Sequence, residues 1–116
     1  MERDAKAYLW DVREAGKAIQ NFVAEVDFEH YADNEMLSSA VERKFEIMGE
    51  ALNQLSKRDV ALAERVPDYR QIVAFRNLLI HGYAAVDSRR VWRIIQESLP
   101  GLIASVEVLL GDDENQ

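Results

Sequence analysis

Apolar residues recur at three- and four-residue steps through most of this chain, and almost nothing breaks the rhythm: 116 residues contain only five Gly and two Pro. An α-helix turns once every 3.6 residues, so apolar groups spaced this way gather along one side and have to be covered by another helix. An all-β chain of similar length would need many more turn residues. The pattern therefore predicts an all-α protein. A chain of 116 residues can bury one core but not two, so a single domain is expected.

The first stripe runs through residues 2–26, where Tyr8, Val12, Ala15, Ile19, Phe22, Val23 and Val26 alternate with Arg3, Lys6, Arg13 and Lys17. Residues 27–34 carry Phe28, His30 and Tyr31 among acids and read as a connector with room for one helical turn. Asp33 or Asn34 is suited to cap the next helix, residues 35–56, whose apolar positions cover more than one face and so predict a central place. Charges along it, including Glu42, Arg43, Glu46 and Glu50, must point outward or pair. A shorter helix over 59–65 should end before Pro67, and Asp68 is placed to cap residues 69–81, with Gly82 as a left-handed stop. Asp87 or Ser88 opens a last helix that Pro100 should kink. These elements predict an antiparallel bundle of four long helices plus one short, one domain over 1–111 and a frayed polar tail at 112–116.

Composition narrows function by exclusion. No uninterrupted apolar run approaches the roughly 18 residues of a membrane span, and the charged start Met-Glu-Arg-Asp-Ala-Lys lacks a signal-peptide core, so a cytoplasmic location is expected. Without cysteine there are no disulfides or thiolate metal sites, and two histidines argue against structural zinc. A net charge of -7 is unlike a protein that coats nucleic acid. Any RNA contact must be local, as near Arg89, Arg90 and Arg93, or be built by two chains.

One segment departs from the apolar pattern. Arg76-Asn77-Leu78-Leu79-Ile80-His81-Gly82-Tyr83 sets four polar side chains within about two turns, although an unpartnered buried polar group costs about 1–3 kcal/mol. Asn77 and His81, four apart, share a helix face, whereas Arg76 and His81, five apart, diverge by roughly 140° on a straight helix. They can meet through the reach of the arginine, through distortion near Gly82, or from opposite sides of a dimer cleft. The residue types suit phosphodiester chemistry. Histidine exchanges a proton near neutral pH, and a guanidinium grips phosphate oxygens and offsets charge that develops on them. The structural alternatives are concrete: His81 as a group at a helix C-terminus, Asn77 on a loop backbone and Tyr83 as a core aromatic. His30 reads as exposed, Arg89 and Arg90 as a solvated face, and Trp10 and Trp92 as core or interface.

The Arg-x4-His-x-Tyr string resembles the signature of the HepT-like branch of HEPN proteins. Tyr8-Leu9-Trp10-Asp11, Ala40-Val41-Glu42-Arg43, Ile47-Met48-Gly49-Glu50-Ala51, Val86-Asp87 and Val91-Trp92 are similar in order and spacing, so the likeness covers nearly the whole chain. Tyr69 stands where the family commonly has tryptophan. The resemblance implies a homodimeric helical bundle and metal-independent, cofactor-free RNA cleavage at a shared cleft, with Arg76 and His81 as the catalytic pair and Asn77 in support. It also implies the toxin half of a type VII-like toxin-antitoxin pair, silenced when a minimal nucleotidyltransferase antitoxin adenylylates Tyr83. The alternative it leaves open is a non-catalytic module that binds nucleotide or phosphate beside a nucleotidyltransferase.

Overall fold

Short polar side chains set where the helices begin. In the computed structural model, which describes residues 3–82 and 86–114, Asp4 accepts from the Lys6 N–H at 3.0 Å and opens α1 (Ala5–Val23). Asp27 does the same at 2.9 Å for α2 (Phe28–Asp33), and Asn34 at 3.0 Å for α3 (Glu35–Arg58). Asp59 caps α4 (Val60–Ala63) and Asp87 caps α6 (Ser88–Arg93), each at 3.0 Å. Each such cap satisfies an otherwise orphaned N–H and is worth about 1 kcal/mol.

The exception is α5 (Tyr69–His81), the helix that carries the polar string. Asp68 makes no side-chain cap bond; it holds a left-handed φ of 62° and gives its carbonyl, not its carboxylate, to the Ile72 N–H at 3.0 Å. Aspartate tolerates that conformation better than most residues, so its value here is the sharp turn out of Val66-Pro67. Gly82 corrects a second expectation. Its φ is -126°, outside the left-handed region, and its N–H closes on the Leu78 carbonyl at 2.7 Å; an added Cβ would lie 2.9 Å from Leu78 Cδ1, the end of a flexible side chain, and 3.3 Å from the Leu78 carbonyl. Glu25, with φ 63°, ends the first helix at Val23, short of residue 26.

The segment expected as a connector is helical because Tyr31 anchors it. Tyr31 is wholly buried, its ring 5.4 Å from Trp92, and Phe28 meets Trp92 edge-on at 6.2 Å. The Tyr31 hydroxyl has no hydrogen-bond partner among the described residues, and burial, helped by the nearby Glu42 charge, pushes its pKa well above the usual phenol value. Trp92 is thus a partly buried aromatic packed against the core, whereas Trp10 is half exposed with the Arg13 guanidinium 4.2 Å from its ring centre.

Pro100 lacks an N–H and crowds the preceding turn, and the chain answers with a π-helical turn over Ile94–Ser98, closed by the Leu99 N–H on the Ile94 carbonyl. The last helix is therefore continuous from α6 through this turn into α7 (Leu99–Glu114), past Gly111, after which the tail over 112–116 was expected to begin. Within Ser88–Gly111 a window of mean hydropathy 1.4 is long and apolar enough to cross a membrane, which corrects the expectation drawn from uninterrupted runs. Glu97 and Glu107 break the runs without lowering the average much. Packing accounts for part of the apolar content, since Ile95, Leu99, Leu102, Ile103, Val106, Leu109 and Leu110 are buried in the core, whereas Val108 is exposed.

The bundle is all-α, with α3 between α1 and α5 and with α1 packed in turn on α7. Val41, Phe45, Met48, Leu52 and Leu55 of α3 are completely buried, and Phe45 meets Phe75 of α5 edge-on at 5.3 Å. The central place read from its broad apolar pattern is the one α3 occupies.

His30 is exposed, as its neighbours implied, and its Nδ1 lies 2.6 Å from Asp27 Oδ1. The Asp27 side chain raises the His30 pKa, and the His30 backbone N–H followed by its ring lowers that of Asp27. The histidine part of this contact is present below about pH 6.5 and lost as pH rises through the raised value; the carboxylate part is present above about pH 3.9 and lost as pH falls through the lowered one. In an NMR titration His30 should titrate above the ordinary histidine value, and Asp27→Asn should bring it back. A normal His30 titration in the unaltered protein would contradict the pairing.

Candidate active site

The site begins with a missing side chain. Where α3 passes α5, a Cβ on Gly49 would overlap the Cβ of Arg76 and lie 2.9 Å from its Cγ and 3.1 Å from the Ile72 carbonyl. Glycine inside a helix costs roughly 1 kcal/mol against alanine, and here the cost secures close contact between the two helices at Arg76. The next residue completes the seat. Glu50 Oε2 lies 2.7 Å from Arg76 Nη2, while its Oε1 accepts from Gln54 Nε2 at 3.0 Å. The Arg76 contact is close but not aligned as a hydrogen bond, so it is an ion pair held by charge.

Arg76 also donates from Nη1 to Asn77 Oδ1 at 2.8 Å. Its side chain is 24% exposed, which leaves the guanidinium at a wall and not in the core. That wall belongs to a recess of about 430 Å³ between α1, α3 and α5, lined by Arg3, Tyr8, Asp11, Arg43, Glu46, Ile47, Glu50, Ala51, Gln54, Arg76 and Ile80. Three arginine–carboxylate pairs ring it: Arg76–Glu50, Arg3–Asp11 at 2.6 Å and Arg43–Glu46 at 3.8 Å.

Of the residues singled out in sequence, the fold brings Arg76 and Asn77 into direct contact and leaves His81 apart. His81 is the last residue of α5, exposed, and its side chain has no hydrogen bond or ion pair with any described residue. No contact among the described residues joins His81 to Arg76, and α5 runs as a helix through both. Tyr83 lies outside the described residues. Arg89 and Arg90 lie over the Phe28 and Phe75 rings at 4.6 and 5.7 Å, and neither lines the recess beside Arg76. Arg43 does. Sequence reasoning did not give Gly49 and Glu50 a place in the site. The available signal was a glycine in mid-helix followed by a charge on a helix read as central.

The chain is thus an all-α, HEPN-like bundle with arginine, asparagine and histidine on one helix and the arginine seated by a glycine-glutamate step on its neighbour. A family model described as "Ribonuclease HepT-like" matches residues 12–109, and the chain belongs to that family. It is 35% identical over 109 residues to "Probable ribonuclease HepT" of Thermococcus cleftensis, covering 94% of this chain and 98% of the relative. It is 32% identical over 108 residues to a "Putative RNase" of Methanocaldococcus jannaschii, covering 93% and 98%. A protein of the same description from Caldanaerobacter subterraneus is 30% identical over 105 residues, covering 90% and 93%. No solved structure gives a significant match.

The seat of Arg76 can be tested apart from any activity. Gly49→Ala should force α3 and α5 apart and lower stability by about 1–3 kcal/mol, as overpacking does, in chemical denaturation. An unchanged midpoint and slope would mean that the helices do not meet as described.

Proposed function

We propose that this protein is an RNA endonuclease of the toxin type, active as a homodimer in the cytoplasm and restrained by a nucleotidyltransferase partner. The observation that carries the reading is the seated Arg76, a guanidinium fixed at the wall of an open recess in a HepT-like ribonuclease domain. Two chains would each present Arg76, Asn77 and His81 to a common cleft. The intrachain divergence then has a use, because the arginine and histidine that serve one phosphate need not come from the same helix.

The chemistry follows from the groups. A ribose 2′-hydroxyl attacks the adjacent phosphorus and the 5′-oxygen of the next nucleotide leaves, which yields a 2′,3′-cyclic phosphate and a 5′-hydroxyl. One His81 takes the proton from the attacking hydroxyl and the second gives one to the leaving oxygen, a service worth about 10²–10⁴-fold in rate. Arg76 offsets charge that builds on the non-bridging oxygens, and Asn77 restrains the guanidinium. No metal ion takes part in this scheme. Control would come through Tyr83: adenylyl groups placed there bring anionic phosphates next to the cationic cleft, where they compete with RNA.

His81→Ala and Arg76→Ala should each lower cleavage of single-stranded RNA by at least about 100-fold, with EDTA without effect on the unaltered protein. Intact RNA after incubation with the unmodified wild-type chain would refute the nuclease; RNA bound but uncut would favour the non-catalytic module. Co-expression with a nucleotidyltransferase encoded beside this gene should add adenylyl mass units that Tyr83→Phe abolishes. An unchanged intact mass in the presence of an active partner would remove the switch.

A further inference from the structure

We infer that Glu50 is a positioning residue for the reaction: its carboxylate, held from behind by Gln54, fixes the Arg76 guanidinium at the rim of the recess. The inference rests on the nuclease reading above. Arginine carries several rotatable bonds and loses considerable freedom when it is ordered, so a free Arg76 would sample many placements. Three contacts restrict it. Gly49 lets the Cβ and Cγ of Arg76 lie against the α3 backbone, which sets where the side chain starts. Glu50 Oε2 at 2.7 Å from Nη2 and Asn77 Oδ1 at 2.8 Å from Nη1 set where it ends.

Glu50 itself is not free to follow. Gln54, one turn further along α3, donates to Oε1 at 3.0 Å and leaves Oε2 for the arginine. These contacts place one acceptor at each terminal nitrogen, and of the five N–H donors of a guanidinium others remain for phosphate oxygens. Glu50 pairs with charge that is already present and need not touch the reacting atoms. Its effect should thus appear in turnover, because a misplacement near 1 Å at a charge-stabilising group costs on the order of 100-fold while ground-state binding changes little.

The experiment is a double-mutant cycle on cleavage of single-stranded RNA by the full chain, with Glu50→Gln, Arg76→Ala and the combination. Glu50→Gln keeps the shape and the Gln54 contact but removes the charge. It should lower kcat about 10–100-fold with KM within about twofold, and should have no further effect once Arg76 is alanine. Glu50→Asp, which keeps the charge, should recover part of the rate. Guanidinium added to Arg76→Ala should restore cleavage, and the combined variant should need about tenfold more of it, a readout that a purely structural role for Glu50 would not move. Should Glu50→Gln fail to fold, this comparison is made with Glu50→Asp and Gln54→Ala, which retain the carboxylate and should weaken the rescue.

Equal turnover by Glu50→Gln and the unaltered chain overturns the inference while the nuclease stands. Additive losses in the cycle also overturn it, since Glu50 would then act elsewhere than through Arg76. Absence of cleavage by the unmodified wild-type chain overturns the nuclease reading, and the inference with it.

Discussion

The approach of α3 to α5 at Gly49 governs the functional half of this molecule. Two helices that touch through ordinary side chains stand 8–10 Å apart by a commonly observed rule of thumb, about the width of the interlocking side chains. Where one of them presents only hydrogen, the backbone of one helix can accept the Cβ and Cγ of the other. The Phe45–Phe75 contact lies on the same pair of helices and gives the crossing an apolar floor. Arg76 then rises beside that floor with its charged end at the surface, which is how a guanidinium sits on an apolar helix without being buried unpaired.

Much of the fold could be read from the residues. The four long helices follow from apolar spacing, and two of their start points follow from Asn34 and Asp87, because capping is a local interaction that needs no knowledge of the rest of the chain. The failures are those where tertiary packing overrides a local preference. Residues 28–33 carry few apolar groups, but Tyr31 finds a slot against Trp92, some sixty positions away, and that distant contact makes a helix of them. Asp68 and Gly82 were assigned the commonest role for their residue types. The direction in which the chain leaves Pro67 decides the first, and the closing bond of the helix onto the Leu78 carbonyl, made at a negative φ, decides the second.

The site was legible to a different depth. The Arg76–Asn77 contact joins neighbours in sequence and was within reach of inspection. Glu50 was known only as a charge that had to pair or point outward, because pairing across helices depends on register, and register is set by core packing that no single stripe reveals. The exposed His81 shows the limit in another way. Its position on the helix was predictable, but the spacing names no partner for it, and within the chain its side chain makes no hydrogen bond or ion pair with any described residue.

The ring of arginine–carboxylate pairs has a kinetic consequence. Each arginine at the recess is matched by an acid, and the chain as a whole carries -7, so a polyanion approaching from a distance meets no attractive field. Attraction begins only inside a Debye length of about 8 Å at physiological salt, when individual guanidiniums are felt apart from their partners. Encounter with such a ligand is then diffusive and unsteered, and added salt, which screens the long-range repulsion, speeds it.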